Sequence, residues 1–329
     1  MRKLDFGTSI MNDTDTKPVS FHIELEKLRH TYGVLLVFLD ENNKKLQIHY
    51  EIEIICTEQI DEQTYILELY KKQVYINEKV PDSLSDELAE RCGKVIYPLQ
   101  LKVSSMGGII AIANHDQIQQ RWHIEREKIK QYYQGADTHK LIMSMDSMIE
   151  SEQKLKNTYI TQDWFMILFF SYMTTHLQQK NILLPWIPYK KGVLYQIEQS
   201  IQSHPHKQED TIVKHKATLI DGRNEDAIFS GIPISIGNNK PAVTGEIDMS
   251  YQTYKDSSIV NAITGNSTIV FPSGKSKKLT IEIYHLGEKT PQTSEERLVK
   301  EKELKEQEPK PTPKKKRYFI FGKEIKFGK

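Results

Sequence analysis

The sequence has few of the residues that cross-link small proteins or bind zinc. It contains 2 cysteines, Cys56 and Cys92, without a CxxC spacing, which argues against a disulfide framework and a thiolate metal site. We expect two buried, reduced thiols, with a single disulfide as the alternative. The sequence also has no large excess of either charge, because it contains 45 basic and 44 acidic residues. No global charge therefore attracts nucleic acid or an anionic membrane.

Long hydrophobic runs are absent as well. The most apolar stretch, WFMILFFSYM at 164–173, is about half of the ~20 residues that cross a bilayer, so it predicts a buried helix. Residues 1–18 begin with basic side chains but contain no apolar core of signal-peptide length. The sequence therefore predicts a soluble, cytoplasmic protein without a transmembrane span.

Recognisable catalytic and metal-binding motifs are missing. None of the 11 histidines falls in HExxH, and the closest pair, His204 and His206, flanks a proline in what we expect to be a solvated loop. No serine lies in a GxSxG elbow. Glu51 and Glu53 lie on the polar side of a predicted strand, where carboxylates are usually solvated. We expect no enzyme activity, cofactor or metal site.

Two glycine-containing stretches superficially match phosphate-binding loops. A phosphate loop leads into a helix, but Gly107-Gly108 is followed by IIAIAN, which alternates as a strand. The pair therefore predicts a two-residue hairpin turn. The GKS triplet at 274–276 lacks the P-loop glycine five positions earlier, where Ile269 stands, and a strand pattern follows it. We expect a polar hairpin tip there.

Residues 17–114 alternate between apolar and polar side chains. In LQIHYEIEI, residues 46–54, every second residue is apolar, and TYILELYKKQVYIN and YPLQLKV repeat the pattern. Such alternation is typical of antiparallel strands with one solvated face. A short helix is predicted around 86–92, after the turn signal at 81–83.

The period changes to helical spacing after Asn114. Asn114 or Asp116 is predicted to cap the first helix, and Asp137 a second helix that continues to Leu155. A third helix, predicted over 161–179, is apolar nearly all round and should lie in the middle of the core.

Alternation returns after the proline-containing break at 183–192. It is clearest in TIVKHKATLI, EIDMSYQTY, STIVF and KLTIEIYH. This order favours an α+β fold in which a curved antiparallel sheet, built from N- and C-terminal strands, packs on a central group of helices over 116–179. In outline the order is similar to the half-barrel folds of bacterial lipoprotein carriers, a likeness of shape alone.

Composition divides the chain into four parts. Residues 1–16 are predicted to be a disordered lead, 17–286 a single α+β domain, and 287–317 a polar linker rich in charge and proline. Residues 318–329 form an apolar-aromatic segment at the end of a flexible arm.

The final stretch, RYFIFGKEIKFGK, places apolar residues on both sides of a possible turn at Gly322-Lys323. Large apolar groups at the end of a polar tether are predicted to dock, on the chain's own sheet edge, on a partner protein, or weakly on an anionic membrane surface. The candidate docking residues are Arg317, Tyr318, Phe319, Ile320, Phe321, Ile325 and Phe327.

These features predict a non-catalytic binding, adaptor or assembly protein. Its C-terminal segment would dock to a partner subunit or mediate self-association, in a bacterial secretion or phage-derived assembly. One alternative is an intracellular carrier of a small apolar ligand or lipid in a half-barrel cavity. Another is an enzyme with an unrecognised site. The basic run at 314–317 follows a glutamate-rich stretch, so we expect no specific nucleic-acid binding.

Overall fold

The chain divides into two compact units, one ending at Pro291 and the other beginning at Gln292. The structure is a computed structural model, and it describes residues 23–42, 44–80, 83–173, 179–186, 192–202, 211–232, 243–307, 318–320 and 323–325.

A single 11-stranded sheet dominates the first unit, with the order β5-β4-β3-β2-β1-β11-β10-β9-β8-β7-β6. Every neighbouring pair is antiparallel. The strands are β1 (Arg29–Leu39), β2 (Lys45–Asp61), β3 (Thr64–Ile76), β4 (Leu99–Ser104), β5 (Ile109–Ile112), β6 (Gln179–Leu184), β7 (Val193–Gln202), β8 (Thr211–Leu219), β9 (Thr244–Thr253), β10 (Val260–Val270) and β11 (Ser276–His285).

The N- and C-terminal strands meet where β1 pairs with β11. Val34 lies opposite Ile283 there, and both side chains are buried. The predicted α+β class, with an antiparallel sheet built from both halves of the chain, is confirmed. The strands β1, β6 and β7 were not singled out from the sequence.

Most of the described helices come between β5 and β6. The helices of the first unit are α1 (Leu84–Ile96), α2 (His115–Tyr132), α3 (Ala136–Ile149), α4 (Glu152–Thr158), α5 (Trp164–Met173) and α6 (Glu225–Ser230). Among the described residues, none of the helices has the length and apolarity needed to cross a membrane.

Helix α5 packs on the face of the sheet where the two halves join. Its Phe165 and Phe169 each lie 5.6 Å from the Tyr32 ring of β1, centroid to centroid. Its Tyr172 stacks on Tyr251 of β9, also at 5.6 Å. Two strands separate β1 from β9 in the sheet, so this one helix connects both halves through a shared core. The prediction of a buried central helix is confirmed.

The helix boundaries differ from those predicted. The second predicted helix is divided into two helices, α3 and α4, because Ser151 interrupts it. The Ser151 hydroxyl accepts a hydrogen bond from the Lys154 amide at 3.3 Å and so caps the N-terminus of α4. The third is shorter than 161–179: it runs from Trp164 to Met173, and Gln179 already belongs to β6.

The Asn114 side chain does not cap α2, contrary to one prediction. Asn114 occupies the N-cap position, but its side chain accepts from the Gln100 amide at 2.9 Å and donates to the Pro98 carbonyl at 2.8 Å. The side chain therefore holds the start of β4. Asp116, the other candidate, lies inside the first turn of α2.

Both glycine-containing stretches form hairpin turns. The loop at 105–108 joins β4 to β5, so it is longer than the two-residue turn predicted, and Gly107 has a φ of 78°. Gly274, with a φ of 83°, donates to the Phe271 carbonyl in the turn between β10 and β11. Neither glycine precedes a helix, as a phosphate loop requires.

The described part of the second unit contains α7 (Ser294–Gln307), β12 (Tyr318–Ile320) and β13 (Lys323–Ile325). The two strands pair antiparallel, with Ile320 opposite Lys323, so Lys323 is in a strand rather than in the predicted turn. The side chains of the candidate docking residues lie outside the described residues.

Candidate functional site

A pocket of about 390 Å³ opens between β3 and α1 on the side of the sheet that faces the helices. We call it the β3–α1 pocket. Its lining combines aromatic and aliphatic residues with charged and polar ones in similar number: Tyr70, Lys71, Lys72, Gln73, Val74, Ile76, Asp86, Ala89, Glu90, Gly93, Lys94, Tyr97 and Tyr159.

A β-bulge in β3 shapes one wall of the pocket. Ile52 of β2 lies opposite Lys71, but Tyr50, two residues earlier, lies opposite Val74. The extra residue in β3 breaks the alternation, so that Lys71 points to the helices while Lys72 bonds Glu53 on the other face.

Half-buried Lys71 forms an ion pair with buried Asp163 at the base of the pocket. Its Nζ lies 3.1 Å from Oδ2 of Asp163 and 3.9 Å from the centroid of the Tyr50 ring. The side chain of Lys71 is 18% exposed and that of Asp163 6%. An ammonium has three N–H donors, so Lys71 can still donate to a group that enters the pocket.

Asp163 also begins the central helix. Its Oδ1 accepts from the Met166 amide at 3.1 Å, and its carbonyl accepts from the Ile167 amide at 3.0 Å. One carboxylate therefore stabilises the N-terminus of α5 and neutralises Lys71. The pocket and the core helix are linked through this side chain.

The groups around Lys71 at the bottom of the pocket keep its ammonium charged. Burial alone would lower the pKa of Lys71, but the Asp163 carboxylate, with Tyr50 and Tyr159, raises it above its ordinary value. A lysine that stays protonated acts as a hydrogen-bond donor, not as a nucleophile or Schiff-base former.

Two tyrosines close the inner end of the pocket. The hydroxyls of Tyr97 and Tyr159 are 3.3 Å apart and share a hydrogen bond. Burial raises the pKa of both phenols, so both are neutral at physiological pH. Neutral phenols offer a ligand ring surfaces and hydroxyl groups without a negative charge.

Helix α1 supplies the opposite wall. Ser83 caps it by accepting from the Asp86 amide at 3.2 Å. Ala89 and Gly93, one turn apart, face the pocket, and a Cβ built at Gly93 would meet no atom within 4 Å. Small residues on this helix face leave the space open. The salt bridge between Lys94 and Glu90, at 2.6 Å, lies at the rim.

The two cysteine thiols are poorly suited to act as nucleophiles. Cys56 and Cys92 are free, as predicted, and burial raises the pKa of both thiols to about 11. Cys92 is buried, whereas Cys56 is half-buried. Across the described ranges, no group of three or more His, Cys, Asp or Glu is arranged to hold a metal ion. His204 and His206 lie outside those ranges.

No protein-family model matches this sequence, and no curated protein matches it. The function therefore has to be inferred from the site itself.

Sequence reasoning did not identify the pocket residues. LYKKQVY was recognised only as part of a strand, although the polar run at 71–73 interrupts its alternation, which is a signal for a bulge. Asp163 directly precedes an apolar run, which is a signal for an N-cap. Glu53, expected to be solvated, is 4% exposed and pairs with Lys72 at 2.9 Å.

Proposed function

We propose that this protein binds a small organic molecule in the β3–α1 pocket and does not transform it chemically. The observation that carries the proposal is a charged, half-buried Lys71 at the base of a pocket whose lining also includes the rings of Tyr97 and Tyr159. Small-molecule sites typically measure roughly 300–1,000 Å³ and combine apolar walls with a few convergent polar groups. The pocket, at about 390 Å³, lies at the lower end of this range.

The lining favours one class of ligand. Rings of Tyr97 and Tyr159 suit an aromatic or short aliphatic body, and the Lys71 ammonium suits an acceptor oxygen such as a carbonyl or carboxylate. Asp163 already neutralises Lys71, so a neutral acceptor fits as well as an anion. This pocket lies between β3 and α1 and is not the half-barrel cavity of the alternative carrier function.

Native mass spectrometry tests this function. The protein, purified without denaturation, should carry a small molecule that Gly93→Trp excludes, because the indole would occupy the open space at this position. Leu84→Trp is the matched control, since Leu84 begins the same helix, is 59% exposed and does not line the pocket. A ligand retained equally by both variants would place binding elsewhere and contradict the proposal.

We also propose a second function, as an adaptor that docks through residues 317–329. The antiparallel pairing of Tyr318–Ile320 with Lys323–Ile325 favours it, because a hairpin can add to the sheet edge of a partner. Deleting residues 309–329 should abolish an association seen by light scattering while leaving the first unit folded. If the shortened chain unfolds instead, the segment belongs to its own domain.

A further inference from the structure

A second pocket, of about 310 Å³, lies at the strand ends beside the turn that joins β1 to β2. We call it the lysine pocket. Four of its side chains are lysines from two distant parts of the chain, and its lining is Phe38, Leu39, Asp40, Lys44, Lys45, Leu46, Trp186, Lys277 and Lys278.

Strand register brings the lysines together. Leu39 of β1 lies opposite Lys45 of β2 on one side and Lys278 of β11 on the other. Residues directly opposite each other share a sheet face, so Lys45 and Lys278 flank Leu39 on the face opposite to the buried Phe38 and Leu279. Lys277, which alternates with Lys278, lies on the Phe38 side, and all four lysines line the pocket at the strand ends.

The positive charge of the lysine pocket is only partly compensated. Lys44, Lys45 and Lys278 make no ion pair with any other described residue. Asp40 is the one acidic side chain in the lining, and its Oδ1 accepts from the amides of Asn42 and Lys44 at 2.9 and 2.8 Å. Its carboxylate therefore stabilises the turn, and the pocket retains an excess of cations.

The base of the lysine pocket is aromatic. Phe38 and Trp186 are buried and meet edge to face, with ring centroids 6.4 Å apart. Leu46, opposite Phe38 across β1 and β2, packs beside them. Cations beside an apolar, aromatic base at the strand ends fit a molecule with an anionic head and an apolar body.

The neighbouring surface limits the length of such a ligand. Lys278 is opposite Thr268, and Thr268 is opposite Glu246, which is exposed on the same face. Asp248, two residues further along β9, is also exposed. A nucleic acid or other extended polyanion lying across the sheet would meet these carboxylates.

We propose that the lysine pocket binds a small organic anion, a carboxylate, sulfonate or phosphate ester with an aromatic or aliphatic body. The anionic head pairs with the lysines, and the body packs on Phe38, Leu46 and Trp186. This site is separate from the β3–α1 pocket, and its lining shares no residue with it.

Isothermal titration calorimetry of the full chain with 1-naphthalenesulfonate tests the proposal. We expect one binding site whose affinity falls as salt rises, and weaker binding of neutral 1-naphthalenemethanol and of inorganic sulfate. Equal affinity for either of these comparison compounds would overturn the proposal, because 1-naphthalenemethanol lacks the anionic head and sulfate lacks the apolar body.

Charge reversal identifies the site. Lys278→Glu and Lys44→Glu should each weaken 1-naphthalenesulfonate binding about tenfold or more, because each replaces an attraction with a repulsion. Lys216→Glu is the matched control, since Lys216 is exposed on β8 and does not line the pocket. Unchanged affinity in Lys278→Glu and Lys44→Glu contradicts the proposal. Binding that Gly93→Trp abolishes would belong to the β3–α1 pocket and would also contradict it.

Discussion

At the scale of single residues, Asp163 connects the pocket with the core. Its two carboxylate oxygens have different partners, the Lys71 ammonium and the Met166 amide. Removing one partner of a buried ion pair leaves the other charge uncompensated, which is costly. Lys71 therefore affects the stability of the protein as well as the chemistry of the site.

We expect Lys71→Met to lower the free energy of unfolding by about 3–5 kcal/mol, because it leaves the Asp163 carboxylate buried without a cation. Urea denaturation measures this change. The double variant Lys71→Met/Asp163→Asn should recover part of the loss. Lys94→Met is the control, since Lys94 is 68% exposed in its pair with Glu90. Equal stability of Lys71→Met and Lys94→Met would show that the buried pair is unimportant.

Two histidines where β1 meets β11 predict a dependence of stability on pH. The rings of His30 and His285 stack 3.9 Å apart, and each Nδ1 lies within hydrogen-bonding distance of a tyrosine hydroxyl, those of Tyr32 and Tyr254. Burial, aided by the charge of His285, lowers the pKa of His30 to about 4, and burial also lowers the pKa of His285. The fold therefore favours neutral rings.

Since the unfolded chain binds protons near pH 6.5 and the folded one does not, stability should fall as the pH decreases from about 6.5 to about 4. His30→Gln should reduce this slope in thermal unfolding measured across the range. His49→Gln, which changes a histidine on the other face of the sheet, is the control. An identical slope in wild type and His30→Gln would exclude His30 as the cause.

At the scale of elements, the alternation of residues 46–54 was enough to predict a strand, because one face of β2 is buried. It was not enough to predict the bulge beside Lys71, which depends on how β3 pairs with β2. The break at Ser151 was also missed, since apolar residues keep helical spacing on both sides of it. Periodicity predicts which elements form, while side-chain caps and pairing determine where they end.

Gly93 provides a prediction for α1. Gly93→Ala should raise the free energy of unfolding by roughly 0.5–1 kcal/mol, because alanine is the better helix former and its Cβ meets no atom within 4 Å. Gly265→Ala in β10 is the contrasting variant. Its Cβ would lie 2.6 Å from Met249 Cγ and 2.9 Å from the Asp248 carbonyl oxygen, so we expect a loss of roughly 1–3 kcal/mol. Chemical denaturation measures whether the free energy of unfolding rises in Gly93→Ala and falls in Gly265→Ala. Destabilisation by Gly93→Ala would contradict the open space at this position.

At the scale of the whole molecule, the two halves of the sheet share one core through α5. The α+β class could be predicted from the order of strands and helices, but the pairing of β1 with β11 could not, since its partners lie about 250 residues apart. The β3–α1 pocket could not be predicted for the same reason: Lys71 and Asp163 are separated by 92 positions.

Because α5 packs on both β1 and β9, we expect the halves to unfold together. Native-state hydrogen exchange should give the central amides of β2 and β9 the same free energy of opening. A lower opening energy in β9 alone would indicate that the C-terminal strands unfold as a separate unit.

Saturation-transfer NMR with benzamide, benzoate and benzene tests the central claim, ligand binding in the β3–α1 pocket, most directly. We predict that benzamide and benzoate receive saturation from the wild-type protein more strongly than benzene, that Gly93→Trp abolishes the transfer, and that Leu84→Trp preserves it. Equal signals from all three compounds, or signals that persist in Gly93→Trp, would contradict a binding site at Lys71.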